Sequence, residues 1–298
     1  MVAISARRVG RPEHDRRVTV FLASEAIAGG TLTRGQLRWN YRQLHPNVYL
    51  PKDADRTLWD NIHAAWLWSG RRGVIGGLAA AALHEAKWLD NFTPVDLIGQ
   101  FSHPPAGVIV RRERLGADDV IEVGGLAVTN PVRTAFDIAR HLPRDRAVTH
   151  LDALSAASGL TADEIAPLIA RHKGARGVRR CRDALSLMDG GAQSPKESWL
   201  RLVLIDAGLP RPATQIKISD GTLVAYLDMG WEGPKVALEY DGDHHRSDRR
   251  QYVKDIRRGE MIEGLGWHVI KVINEDRPAV VIARVRAALA RRSAPKLP

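Results

Sequence analysis

The 298-residue sequence predicts an α/β protein: a C-terminal mixed-sheet domain, preceded by a helical, winged-helix-like N-terminal region and an α+β middle domain. Three observations carry this expectation. From residue 176 onward a helix precedes three alternating strand-like segments, a charged helix, a β-branched strand and a closing helix. That order, αβββαβα, suits a mixed sheet with helices packed against it. Ahead of it, short apolar runs separated by turn residues mix with amphipathic segments. Near the front, two short helical stretches precede a brief β-segment, the order of a winged-helix module.

Residues 1–17 hold five arginines among Gly and Pro and read as a mobile basic arm. Within a winged-helix-like module over 18–70, VTVFLASEAIAGG suggests a helix closed by glycine, TLTRGQLRWN a short helix with a Thr cap, and HPNVYLPK a β-segment. No helix with several base-reading side chains stands out there. TLWDNIHAAWLWS (57–69) and IGGLAAAALHEAKWL then read as two apolar helices. The middle domain, 71–175, continues with strand-like VDLIG, GVIVRRERL and GLAVTN, and with PVRTAFDIARHL as a helix opened by proline. HLDALSAASG and TADEIAPLIARH complete it, the latter with Thr161 and Glu164 spaced for a capping box.

The domain over 176–298 opens with SPKESWLRLVLIDAGLP, a helix with Ser194 as cap, Pro195 at its first position and Gly208 at its close. ATQIKISD, TLVAYLDMG and KVALEYDG alternate as strands, with WEGPK turning between the last two. DRRQYVKDIRRGEMIEGLG is a charged helix, WHVIKVI a buried strand, and NEDRPAVVIARVRAALARR the closing helix.

Hydrophobic residues make up 44% of the chain and charged residues 26%, ordinary for a globular protein. The net charge of +10 is not ordinary. It favours acidic partners, nucleic acid before an anionic membrane surface. No window reaches the roughly 18 apolar residues of a membrane span, and the basic N-terminus lacks the apolar centre of a signal peptide. The single cysteine, Cys181, excludes an internal disulfide or a cysteine zinc cluster and fits a reducing cytoplasm.

Glu239, Asp241, Asp243, His244, His245 and Asp248 crowd the end of one strand-like segment, VALEYDGDHHRSD. On a strand Ala237, Glu239 and Asp241 share one face, and pairing across WEGPK can bring Asp228 beside Glu239, in a register that the sequence does not fix. Carboxylates converging at strand ends suit a hard divalent cation, which can activate water and offset charge on a scissile phosphate.

Glu197, Asp228, Glu239-Tyr240-Asp241-Gly242, His245, and Asp255 with Arg258 before Gly266-Trp267 resemble, in that order, the Vsr-like (very-short-patch-repair endonuclease-like) branch of the PD-(D/E)XK nucleases. The resemblance covers roughly 190–290 and implies a restriction-endonuclease-like fold. It further implies Asp228 and Glu239 as ligands of Mg²⁺, or Mn²⁺, with Asp241 a further candidate. Glu197 would support the metal or its water, and His245, with His244 as alternative, would act as acid or base. Asp241 stands where many of these nucleases carry lysine, so water activation would rest on the metal, a histidine or Asp241 itself. The first 170 residues more distantly resemble AbiEi-type antitoxin proteins, through LTRGQL (32–37), NVYLP (47–51), GGLAAAALH (76–84) and GLAVTNPVRTAFDIAR (125–140). Those proteins bind promoter DNA through a winged helix.

Simpler roles compete at each position. Ser194 and Glu197 form a capping box around Pro195. Asp228 can end an edge strand in solvent, Asp241-Gly242 is a turn dipeptide, and Asp255 with Arg258 at i, i+3 is a helix ion pair. The run RHKGARGVRRCR (171–182) carries six Lys or Arg and no acid, as a solvated linker or a phosphate contact would. The backbone-binding candidates are Arg176, Arg179, Arg180, Arg246, Arg249, Arg250, Lys254 and Arg258. Two functions are therefore expected from this text. One is a metal-dependent DNA endonuclease, with RNA left open as a substrate. The other is a non-catalytic DNA-binding regulator or antitoxin with a toxin partner.

Overall fold

The computed structural model describes residues 19–241 and 249–293, with the side chains of 249–253 and 293 outside that description. The basic arm expected at 1–17 therefore lies outside the described residues. The fold is α/β, and the described residues form three sheets that contain parallel and antiparallel pairs. In chain order the elements begin β1 (Phe21–Leu22), α1 (Ala23–Ala28), α2 (Arg34–Asn40), β2 (Tyr41–His45), β3 (Val48–Pro51), α3 (Leu58–Trp68), β4 (Val74–Gly76) and α4 (Gly77–Leu83). They continue β5 (Val95–Ile98), β6 (Val108–Arg111), β7 (Val120–Val123), β8 (Leu126–Thr129), α5 (Pro131–His141), α6 (Arg144–Ser158), α7 (Ala162–Arg171) and α8 (Val178–Leu187). The last are α9 (Pro195–Asp206), β9 (Ala213–Ser219), β10 (Val224–Trp231), β11 (Val236–Tyr240), α10 (Arg249–Gly264), β12 (His268–Val272) and α11 (Pro278–Ser293). Among the described residues no helix is long and apolar enough to cross a membrane.

The chain divides into two compact units, one running to Ile75 and adding Asp90–Glu113, the other taking Gly76–Leu89 and everything from Arg114. In the first, the segment expected as one helix splits. Phe21–Leu22 pairs with Val48–Tyr49 in a β1-β3-β2 sheet, and only Ala23–Ala28 is helical. The aromatic and β-branched start prefers the pleated partner that β3 supplies. Leu50, Val48, Ala64 and Leu67 form the small core beneath, and the buried Asp60 caps α3 while accepting the Thr19 hydroxyl at 2.8 Å. β5 and β6 pair in parallel, tied by Arg111 to Asp96 at 2.6 Å.

In the second unit α4 is shorter than its apolar text suggests, because Glu85 and Trp88 take left-handed backbone conformations. β8 is the GLAVTN strand expected from the sequence, and β7 pairs with it as an antiparallel neighbour that was not expected. Helices α5 to α8 close around Phe136, Leu151, Leu154, Ile165 and Cys181. α8 belongs to this core through Val178, Ala184 and Leu185, so the basic run 171–182 leads into a packed helix rather than a free linker. Gly177 sits at φ +86°, and a Cβ there would lie 2.6 Å from the Arg140 carbonyl oxygen. Buried Arg133 joins Asp137 and Asp119, each at 2.9 Å, and Arg140 joins Asp137 at 3.0 Å. Such charges are tolerated in a core only because they are paired.

From α9 onward the chain builds a four-stranded sheet of order β12-β11-β10-β9, with β11 parallel to β12 and the other neighbours antiparallel. One face packs Leu238, Ile270 and Val272 against Leu200 and Leu204 of α9 and Val281 and Val285 of α11. The other packs Ala237, Leu227 and Ile216 against Met261 and Ile262 of α10. This is the αβββαβα order read from the sequence.

Candidate functional site

Three carboxylates from separate elements define the candidate site. Glu197 sits in the first turn of α9, 7% exposed. Its Oε1 accepts the Ser194 hydroxyl at 2.9 Å and its Oε2 accepts the Gln193 backbone N–H at 2.9 Å. Ser194 caps α9 as expected, its hydroxyl oxygen accepting the Glu197 N–H at 3.2 Å, while the Glu197 carboxylate takes the Gln193 N–H in place of the Ser194 N–H of a full capping box.

Asp228 lies on β10. The β10–β11 ladder pairs Met229 with Leu238, and Asp228 lies just beyond it, in electrostatic reach of Glu239. The Tyr240 N–H donates to Asp228 Oδ2 at 2.9 Å, replacing a backbone partner with a side chain. The strand is irregular here. Leu227 packs with the α10 cluster while Met229, two residues on, packs with the α9 and α11 cluster. Strand alternation would put both on one face, so the alternation breaks at Asp228. Between the β9 pairs Leu227–Ile216 and Met229–Thr214, Gln215 has φ +48°, a conformation non-glycine residues seldom adopt. Irregular strand geometry of this kind re-aims a side chain. Gln193 donates to Gln215 Oε1 at 2.8 Å, linking the start of α9 to that point.

Burial pushes the Asp228 carboxyl up to about 6; the Tyr240 N–H opposes this, while the negative charges of Glu197 and Glu239 add to it. Glu239 is met by Arg258 of α10. The guanidinium contacts both carboxylate oxygens, with Nη1 to Oε2 at 3.2 Å, and also donates to the Tyr226 carbonyl at 2.8 Å. The hydrogen bond to Glu239 is the main reason Arg258 holds its proton more tightly than usual. Asp255, the i, i+3 neighbour of Arg258 expected from the sequence, also favours its charged form, and Glu239 adds a carboxylate from the sheet.

Asp241 follows β11. Its N–H donates to the Val272 carbonyl at 2.8 Å, and its carboxylate stands 3.9 Å from Lys271 Nζ. Lys271 is in register with Glu239 on the neighbouring parallel strand. No reading of the sequence singled out Lys271 or Gln215. The signal for Lys271 was available: it interrupts the apolar run Val269–Val272 of β12. Gln215 gave none, since only backbone geometry marks it.

His245, its alternative His244, and Arg246 lie outside the described residues. Arg249 and Arg250 open α10, but their side chains are likewise outside the description. Arg176, Arg179, Arg180 and Lys254 are exposed, with Arg180 donating to the Leu142 carbonyl at 3.3 Å.

As they stand, the carboxylates do not fit a divalent cation. Arg258 claims both oxygens of Glu239, and among the described residues no three carboxylate, imidazole or thiol groups are gathered to hold a metal ion. The arrangement is instead a pair of facing carboxylates balanced by one guanidinium.

α9 owes its placement to a second, fully buried group. Asp152 of α6 accepts the Ser198 hydroxyl at 2.6 Å, the Arg201 guanidinium at 2.7 Å and the Asp189 N–H at 2.7 Å. Asp189 in turn accepts the Thr214 hydroxyl at 2.8 Å, next to Gln215.

Comparison with known proteins gives two results. Residues 93–187 match the AbiEi antitoxin C-terminal domain. The match takes in GLAVTNPVRTAFDIAR and ends with α8. The chain is also 32% identical over 228 residues to two proteins of Mycobacterium tuberculosis, Uncharacterized protein MT2308 (strain CDC 1551 / Oshkosh) and Uncharacterized protein Rv2248 (strain ATCC 25618 / H37Rv). Each alignment covers 73% of this chain and 83% of the relative. The chain belongs to the family of these two mycobacterial proteins, with an AbiEi antitoxin C-terminal domain at its centre.

Proposed function

We propose that the protein is a DNA-binding regulator of the antitoxin type. The observation that carries this reading is the AbiEi antitoxin domain at 93–187, which follows a short module with the helix, helix, β-hairpin order of a winged helix. In that module α2 buries none of its residues and leaves Arg34, Gln36, Arg38 and Asn40 open to solvent just before the β2–β3 hairpin. These side chains offer donors for base edges and phosphates, and the net charge of +10 favours the encounter. Arg176, Arg179 and Arg180 are further backbone contacts in this reading. A toxin encoded beside it is the expected protein partner.

The test is fluorescence anisotropy with duplex DNA from upstream of the protein's own gene, against a scrambled duplex. Preferential binding, weakened by Arg34→Ala with Arg38→Ala, is expected. Affinity should fall with salt by roughly one unit of log–log slope per phosphate contact. Equal binding to both duplexes sinks the regulator reading.

A metal-dependent endonuclease is the second reading. It is favoured by the facing carboxylates Asp228 and Glu239 with Glu197 nearby, in a sheet of αβββαβα order. In this reading Glu239 serves Mg²⁺ or Mn²⁺ only after leaving Arg258, and His245 and Asp241 are supporting candidates. Cleavage of several DNA forms with Mg²⁺, Mn²⁺ or EDTA, beside Asp228→Ala, tests it. Metal-dependent cleavage that persists in Asp228→Ala, with contaminating nuclease excluded, sinks the assignment of Asp228 and Glu239 as its site, and no cleavage by the unaltered chain sinks the reading itself.

A further inference from the structure

We propose that Arg258 is a built-in counter-ion that keeps the carboxylates of the C-terminal domain closed to divalent cations. The inference rests on reading Asp228 and Glu239 as the cation-binding pair. Both oxygens of Glu239 are taken by one guanidinium, the two-pronged contact that Arg makes with a carboxylate. The same guanidinium reaches across to the Tyr226 carbonyl on β10, so it bridges the two strands that carry the pair. A divalent cation shared by Asp228 and Glu239 would need those oxygens and would bring like charge up against Arg258. Cation and guanidinium therefore compete for Glu239.

The contact is placed to be reversible. Arg258 is 37% exposed at its side chain and can turn to water, whereas Glu239, 14% exposed, then requires another cation in its place. Arg258 sits on α10, which packs on the sheet through Met261 and Ile262 and does not depend on the ion pair for its apolar anchor. Lys271 repeats the pattern at the neighbouring carboxylate, standing 3.9 Å from Asp241. A polyanion approaching this face offers Arg258 another acceptor, which would release Glu239 at the moment a phosphate arrives.

The experiment is Mn²⁺ binding by calorimetry to the full chain, with Arg258→Ala, Arg258→Gln, Asp228→Asn and the double variant Asp228→Asn/Arg258→Ala. Circular dichroism confirms that each variant is folded, and the melting temperature with and without Mn²⁺ gives a second readout. Both Arg258 variants should bind Mn²⁺ about fivefold tighter or more than the unaltered chain, as expected from removing an ion pair that competes for the ligand. They should also gain thermal stability from Mn²⁺, and the double variant should lose both effects. Asp228-dependent binding that is equally tight with and without Arg258 overturns the counter-ion and leaves the cation pair standing. Absence of Asp228-dependent binding in every protein overturns both.

Discussion

Asp152 on α6 receives the guanidinium of Arg201 on α9 at 2.7 Å, and neither side chain is exposed to solvent. Through Ser198 and Arg201 the pair joins the helical core containing the antitoxin-type segment to the helix that carries Glu197. Burying both charges is unfavourable unless each satisfies the other, so the loss of one strands its partner. Asp152→Ala should therefore lower stability by about 3–5 kcal/mol, seen as a fall in the urea midpoint. Asp152→Leu combined with Arg201→Met should recover most of the loss. A double variant as unstable as the single would show that the pair is not the cause.

Asp228 sets a pH dependence. Its folded value, about 6, lies above the ordinary aspartate value of 3.8. The folded state thus holds a proton that the unfolded chain gives up, and stability falls as pH rises from about 4 to about 6. Asp152, also raised to about 6 chiefly by burial, contributes in the same direction. Asp228→Asn keeps an acceptor for the Tyr240 N–H and removes the charge. It should flatten the slope of chemical-denaturation stability across that window and exceed the unaltered chain at pH 7.5 by about 1 kcal/mol. An unchanged slope would refute the assignment.

Glu197 separates cap from site. Glu197→Ala removes an acceptor from both the Ser194 hydroxyl and the Gln193 N–H, and should lower stability by about 1–2 kcal/mol. Glu197→Gln retains one acceptor and should stay within about 0.5 kcal/mol. Because Glu197 is one of the charges raising Asp228, the Gln variant should also lower the Asp228 pKa, followed by carboxyl-carbon NMR. No movement of that resonance's midpoint would place Glu197 outside the cluster.

Gly230 tests the ladder beneath the site. A Cβ there would lie 2.4 Å from the Val236 carbonyl oxygen and 2.8 Å from Ala237 Cα, both backbone atoms in the facing strand. Gly230→Ala cannot be absorbed by rotating a side chain and should lower stability by about 2–3 kcal/mol, with loss of amide protection in β10 and β11. A neutral result would mean that the two strands move apart without cost.

Much of the C-terminal layer was legible from residue order. Ser194, Pro195 and Gly208 marked α9, and WEGPK marked the hairpin that brings Asp228 near Glu239. The front was less legible. Phe21–Leu22 is a strand because β3 lies beside it, and Val120–Val123 is one because β8 folds back on it. Both are pairings with neighbours that local propensity does not encode. At the site, the sequence offered Asp255 as the i, i+3 neighbour of Arg258, and the fold added Glu239, whose two oxygens Arg258 contacts. The left-handed Gln215 left no trace in the text, since a backbone angle is fixed by the strands on either side.

By itself the sequence determined the α/β class, the αβββαβα order, the caps, and the presence of carboxylates on two strands joined by a tight turn. These follow from periodicity, turn chemistry and hydrogen-bond spacing, which act over a few residues. Only the tertiary structure decided how those carboxylates are balanced. It set Arg258 on both oxygens of Glu239, Lys271 beside Asp241, and Asp152 beneath α9. Charge pairing across layers depends on distance through space, and distance through space exists only once the sheet and its helices have closed on one another.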